Sequence, residues 1–270
     1  MLTGALHSTQ KKPVDIVYLD YAKAFDSVIH NKLLYKLSCY GVCHMLLDWI
    51  RDFLSEHMQC VRIGSSLSSY CKVLSGVPQG SVLGPALFVI FINDIVDCVA
   101  HSVCVKMFAD DTKVYTIISD ECSSDRLQSS LDYICSWSDH WQLKLSPSKC
   151  TVMRMNSSRV NSASFPDVKY NVCGSSLPSV STVTDLGVRY DTHLSFRPHI
   201  NTIVAKASLG AKLILKCFTT RNPNILCKAF CAFVRHILEF SSEIWNPYFK
   251  VDVKKIESVH AEALYQGYIP

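Results

Sequence analysis

The stretch MFADDTKVY, residues 107–115, sets two adjacent carboxylates, Asp110 and Asp111, inside an otherwise apolar run. Met107, Phe108 and Ala109 before the pair, and Val114 and Tyr115 after it, predict two short strands with Asp-Asp at the tight turn joining them. A turn is an ordinary place for aspartate. The sharper alternative is a metal site, and it needs a third carboxylate from elsewhere in the chain. VDIVYLD, residues 14–20, offers one: a β-rich run ending in Asp20. A strand ending in Asp beside a hairpin turn carrying Asp-Asp can place three carboxylates around a common point. There they repel strongly unless divalent cations neutralise them.

The rest of the chain supplies a frame for that arrangement. Residues 31–39 and 43–55 show helical spacing of apolar positions. CVRIG and YCKVLSG, separated by a Ser-rich turn, predict a hairpin over residues 60–76. The apolar run LGPALFVIFINDIV is broken by Gly84, Pro85, Asn93 and Asp94, and a membrane span takes about 20 residues. It is read as a buried helix over 85–97. Residues 124–143 predict an amphipathic helix, CTVMRM a strand, and STVTDLGVRYD a further short strand. From about residue 197 the chain turns Ala/Leu/Ile-rich and helical, with Pro198, Pro223 and Pro247 as punctuation.

Composition narrows the function classes. The net charge of +4 permits a nucleic-acid partner without demanding one. Thirteen cysteines form no CxxC and are odd in number, so they read as reduced thiols of an intracellular protein, most of them small core hydrophobes. The ten histidines lack zinc spacing. The absence of a signal peptide leaves cytoplasm and nucleus open, and the compartment and oligomeric state unspecified.

Taken together, VYLDYAKAFDSVIH, SGVPQGSVLGPALFVIFINDI, MFADDTKVY, WQLKLSPSKCTVM and VTDLGVRYDTHLSF occur in the order of the palm motifs of reverse transcriptases. The chain resembles those of non-LTR retrotransposons of the jockey and CR1 kind, over roughly residues 14–260. The most specific element is SGVPQGSVLGP; a lone AFD or ADD is weak. A nucleotide cyclase on a palm-like sheet would leave SGVPQGSVLGP unexplained.

The resemblance implies an α+β fold, a polymerase palm of antiparallel sheet with helices on one face, followed by a helical thumb. Residues 1–13 are a short N-terminal remnant, 14–196 the palm with its primer-grip hairpin, and 197–270 the thumb-like region. It implies two Mg2+ ions, replaceable by Mn2+, held by Asp20, Asp110 and Asp111, with an RNA template, a DNA primer and a dNTP as partners. Phe25 takes the place of the aromatic gate that excludes a 2′-hydroxyl; an ordinary core aromatic is its plain alternative. Gln79 becomes the polar contact to nucleotide or template, and Gly76 and Gly80 allow close backbone approach to a ligand. Lys149 matches a lysine that protonates the departing pyrophosphate, with Lys144 a weaker candidate and a solvated loop lysine the plain reading. Asp26 is expected to cap the following turn or helix. Gly187, with Leu186, belongs to the primer grip, and Lys206, Lys212 and Lys216 to a face that tracks a duplex backbone. Only 13 residues precede VDIVYLD, where the family carries its fingers, so the sequence predicts a polymerase with little activity alone. The alternative expectation is an inactive retroelement-derived fragment acting only as a nucleic-acid-binding or interaction module.

Overall fold

A computed structural model of the chain describes residues 12–155, 168–220 and 222–265, with side chains of the last helix described to residue 259. The N-terminal remnant up to residue 11 and the tail from 266 lie outside the described residues. The chain divides into two compact units, Met1–Val180 and Ser181–Pro270.

The first unit is organised by β1 (Val14–Leu19), a β-branched run buried at every position but Tyr18. It pairs antiparallel with β7 (Asp111–Ile117) on one edge and β8 (Thr151–Met155) on the other, and β6 (Cys104–Phe108) extends the sheet beyond β7. The register aligns Val17 with Val114 and Val152. Because side chains alternate across a strand, these three share one face. That face joins a single core with Leu33 and Leu37 of α1 (His30–Cys39), Leu47 and Ile50 of α2 (His44–Leu54), Phe88 and Phe91 of α3 (Leu83–Ile92), and Leu127 and Leu131 of α4 (Ser123–Trp141). The fold is the α+β arrangement expected, an antiparallel sheet with helices against one face.

One buried charge sits in this sheet. Asp15, fully buried, shares its face with Val17 and accepts hydrogen bonds from Arg154 Nε (2.6 Å) and Nη2 (2.7 Å) of β8 and from the Tyr170 hydroxyl (2.6 Å). A carboxylate is tolerated there only because all three donors are present. Burial, followed by the adjacent Asp15 charge, pushes the Tyr170 phenol well above its ordinary range.

Several local expectations change. The helix expected over 85–97 ends at Ile92 and continues as a 3-10 segment, Asn93–Cys98. The hairpin over 60–76 is two short exposed pairings, β2 (Met58–Gln59) with β5 (Cys71–Lys72) and β3 (Arg62–Ile63) with β4 (Ser66–Leu67). A hairpin of β9 (Asn171–Val172) and β10 (Ser175–Ser176) follows β8, in a stretch where the sequence predicts no strand. The cysteines are not mostly core residues: Cys150 alone is buried, and Cys104, Cys217 and Cys231 are exposed. They sit in apolar stretches but on the outward positions of their elements.

The second unit begins with an antiparallel hairpin rather than one strand, β11 (Thr182–Asp185) and β12 (Val188–Asp191), turning at Leu186-Gly187 with φ of 46° and 84°. Positive φ at both central residues is what a tight two-residue hairpin requires. The hairpin thus falls in the same compact unit as the helices, whereas the sequence reading groups it with the palm. Asp191 Oδ1 accepts from the backbone N–H groups of His193 and Ser195 and so shapes the exit into α5 (Arg197–Cys217). The remaining helices are α6 (Pro223–Phe230), a π-turn (Cys231–Arg235), α7 (His236–Glu239), α8 (Ser242–Trp245) and α9 (Lys250–Tyr265). Val188, Ile203, Ala207, Phe230, Val234 and Trp245 form this unit's own core.

Candidate nucleotidyl-transfer site

The β1–β7 register determines where the three aspartates stand. Leu19 pairs with Thr112, and Phe108 pairs with Asp111 across the β6–β7 turn. The residue after Leu19, Asp20, therefore comes level with Asp111 at the same end of the sheet, beside the Ala109-Asp110 turn. Ala109 holds φ 53°, a conformation costing an L-residue roughly 1–2 kcal/mol. Asp20 and Asp110 are half-buried and Asp111 exposed. Among the described residues, no three His, Cys, Asp or Glu side chains close to metal-ligating distance. The aspartates share a strand end without converging on one point.

The loop after α4 holds Lys149 over Asp20. The Asp20 carbonyl accepts from Ser146 N–H (2.8 Å), and Ala22 N–H donates to the Lys144 carbonyl (2.8 Å). Tyr21 bridges to Leu145 between them. The Lys149 and Cys150 N–H groups then bond back to the Ser146 carbonyl, at 2.9 and 3.2 Å. Asp20 N–H donates to Cys150 Sγ at 3.4 Å, and burial pushes that thiol's pKa up, so it persists as a neutral thiol. With its backbone fixed in this way, Lys149 Nζ lies 3.3 Å from Asp20 Oδ1. The contact is an ion pair without hydrogen-bond geometry, because Oδ1 is shielded from solvent yet has no hydrogen bond. A shielded, unbonded carboxylate oxygen costs free energy unless a cation shares it. Lys144 reaches this loop through its backbone carbonyl; its side chain is exposed.

The GVPQG loop is stitched to the turn that follows β1. Gly76 N–H donates to the Val28 carbonyl (2.7 Å) and Val77 N–H to the Phe25 carbonyl (2.9 Å). Ser75 Oγ donates to the Asp26 carbonyl, and Gln79 Nε2 donates to Asp26 Oδ1, both at 2.9 Å. Gly76, with φ 91°, lies so close that an added Cβ would meet Asp26 Cα at 2.8 Å. Its close approach is to the chain's own backbone rather than to a ligand. Gly80, with φ 83°, faces open space. Asp26 caps no following helix, since α1 begins after Ile29 without a side-chain cap, and Asp26 Oδ1 accepts from Gln79 instead. Phe25 is half-buried and stacks on Phe88 with ring centroids 4.2 Å apart. The Asp26–Gln79 pairing could not be read from either motif alone, because 53 residues separate its partners.

In the second unit, Gly187 lies against the Phe240 ring, 3.0 Å from where a Cβ would stand. Lys206, Lys212 and Lys216 are all exposed on α5. Asp252, 2% exposed, is flanked by Arg197 Nε at 3.2 Å and Lys255 Nζ at 3.6 Å. Among the described residues no helix is long and apolar enough to cross a membrane.

The antiparallel sheet thus sets Asp20 and Asp111 at the ends of adjacent strands beside the Asp110 turn, with Lys149 against Asp20 and the GVPQG loop bound to the turn after β1. Residues 3–190 match the family described as reverse transcriptase (RNA-dependent DNA polymerase), and the chain belongs to that family. It is 30% identical over 207 residues to the RNA-directed DNA polymerase from mobile element jockey of Drosophila melanogaster, covering 74% of this chain and 22% of the relative. The Drosophila funebris counterpart is 33% identical over 210 residues, with the same coverages. A probable RNA-directed DNA polymerase from transposon BS of Drosophila melanogaster is 24% identical over 273 residues, covering 94% of this chain and 29% of the relative. The chain thus spans about a fifth to a third of the length of these relatives. Among solved structures, a telomerase of Candida tropicalis in complex with a TWJ fragment of telomeric RNA aligns with a TM-score of 0.51 and 10% identity. That alignment covers 100% of this chain and 43% of the telomerase, and shows likeness of fold.

Proposed function

We propose that this chain carries the catalytic centre of an RNA-directed DNA polymerase, joining a deoxynucleotide to a primer 3′-hydroxyl on an RNA template. The observation that carries the proposal is the shared strand end of Asp20 and Asp111 beside the Asp110 turn, with the Asp20 Oδ1 left shielded and unbonded. Hard carboxylate oxygens of this kind suit Mg2+, with Mn2+ as a substitute. Asp20, Asp110 and Asp111 would hold the divalent cations, which when bound supply charge neutralisation for the transferred phosphoryl group.

The chain's own residues do the rest in this reading. Lys149, kept beside Asp20 by the Ser146 turn, holds a proton for the departing pyrophosphate. Phe25, steadied by Phe88 and by the GVPQG loop, bounds the sugar position and excludes a 2′-hydroxyl. Gln79 is fixed through Asp26, leaving its Oε1 for nucleotide or template, and Gly80 leaves room for either. The hairpin β11–β12 and the lysines of α5 contact primer and duplex backbone in this account.

The test is primer extension by the purified chain on an RNA template, with deoxynucleotides and Mg2+ and then Mn2+, beside Asp110→Ala/Asp111→Ala. Extension abolished by the double substitution supports the proposal. No extension by a folded chain that still binds the primer–template duplex refutes it for this chain and leaves a nucleic-acid-binding module.

A further inference from the structure

We propose that Cys135 and Cys173 form an oxidisable dithiol, a modification site at which a hydroperoxide converts the two thiols into a disulfide. Cys135 lies on α4, and Cys173 occupies the β9–β10 turn with φ 49°, next to Gly174 at φ 76°. Their sulfurs are 3.0 Å apart, with the Cys173 thiol donating to Cys135 Sγ. The Cys173 backbone N–H donates to that same sulfur at 3.0 Å. Cys173 is exposed and Cys135 half-buried, so a small oxidant can reach the pair.

The two elements are already fastened together next to the thiols. Asn171 N–H donates to Gln128 Oε1 at 2.9 Å, and Gln128 Nε2 donates back to the Asn171 carbonyl at 3.0 Å. Tyr170, one residue earlier, is anchored on Asp15. The turn that carries Cys173 is therefore held against α4, and disulfide formation asks the sulfurs to close by only about 1 Å, to the ~2.05 Å bond length. Ordering of the 38-residue separation is met by the fold itself.

Roles within the pair follow from the hydrogen bonds. Both donors point at Cys135 Sγ, so that sulfur is the acceptor of the pair and takes the attacking role in the proposal. Burial, then the bond to Cys135, pushes the Cys173 thiol up to about 12, which keeps its proton in place. Cys135 attacks the peroxide oxygen, the O–O bond breaks, and a sulfenic acid and one water result. The Cys173 sulfur then attacks the sulfenic sulfur, and its proton leaves with the hydroxyl as a second water. Two thiols and one hydrogen peroxide thus give one disulfide and two waters, and dithiothreitol reverses the reaction.

The experiment treats the folded full chain with hydrogen peroxide, blocks remaining thiols by alkylation, and maps peptides without reduction. The expected product is a single cross-link between Cys135 and Cys173, forming at least ~10-fold faster than in urea-unfolded chain. In Cys173→Ser, dimedone should label Cys135 as the trapped sulfenic acid; in Cys135→Ser, Cys173 should label no faster than exposed Cys39. A folded chain without this cross-link, one that forms equally fast when unfolded, or preferential dimedone labelling of Cys173 overturns the proposal.

Discussion

Substituting Gly76 by alanine separates two roles that the GVPQG motif leaves entangled. At φ 91° an L-residue is strained whatever surrounds it, at a cost of roughly 1–2 kcal/mol. The new Cβ would also meet Asp26 Cα, O and C at 2.8, 2.9 and 3.0 Å. All three are backbone atoms of the turn bearing Phe25, with no flexible side chain to yield. Overpacking of that kind costs about 1–3 kcal/mol, so Gly76→Ala should destabilise the first unit by about 2–5 kcal/mol. Gly80→Ala is the internal control: its φ is 83° but nothing lies within 4 Å of its Cβ position. It should cost only the strain, about 1–2 kcal/mol. Urea unfolding followed by far-UV circular dichroism reads both from the midpoint at constant m-value. Equal losses in the two variants would refute the argument that Gly76 serves contact with the Asp26 backbone. In primer extension, Gly76→Ala should fall further than Gly80→Ala, because it displaces the turn that positions Phe25.

Three other outcomes follow from the same structure. Arg154→Met leaves Asp15 buried without its cation and should cost about 3–5 kcal/mol, whereas Asp15→Leu/Arg154→Met should recover most of it, as thermal or urea unfolding would show. Lys149→Ala breaks an ion pair whose side chains are 64% and 42% exposed although Oδ1 itself is shielded, so stability should change by less than about 1 kcal/mol. Its single-turnover extension rate should nevertheless fall by about 10²-fold or more, with Lys149→Arg preserving the pairing to Asp20 but not the proton transfer. His199 is buried against Trp245, and burial, followed by the Lys206 charge, lowers its pKa. The unfolded chain then binds the proton more readily, so the stability of the second unit is retained above about pH 6.5 and lost as pH falls below it. His199→Gln should flatten that acid-side loss in urea midpoints taken between about pH 7.5 and pH 5.5.

The sequence made some of this structure legible and hid the rest for identifiable reasons. α1, α2 and α4 carry an apolar period of about 3.6 in the sequence, while β1 reads as a short β-branched run bounded by Asp20, and these are the elements that appear in the structure. The short β9–β10 hairpin has strands of two residues each, too brief for any period to register. Asp15 is inconspicuous in the sequence because it lies within a run whose apolar character dominates. Its signal was a charge on the core-facing parity of VDIVYLD, answered at matching parity by Arg154 in CTVMRM. Cys104, Cys217 and Cys231 read as core residues in the sequence yet are exposed, because local hydrophobicity does not say which side of an element faces in. At the candidate site, the motifs single out Asp20, Asp110 and Asp111, while the register Leu19–Thr112 is what brings them to one strand end. The pairing of Gln79 with Asp26 and of Lys149 with Asp20 depends on loop closure over long separations, which no local pattern encodes.

The central claim is that Asp20, 90 residues before Asp110, works in the same centre as the Asp110-Asp111 turn. Single-turnover incorporation of one deoxynucleotide opposite an RNA template, measured for the chain and for Asp20→Asn, tests it most directly. The substitution keeps the side chain's shape and removes its charge. The account predicts that incorporation falls by at least ~10²-fold, with the unfolding midpoint little changed and primer–template binding intact. Incorporation by Asp20→Asn at the rate of the unsubstituted chain, with Asp110→Asn inactive, would contradict it.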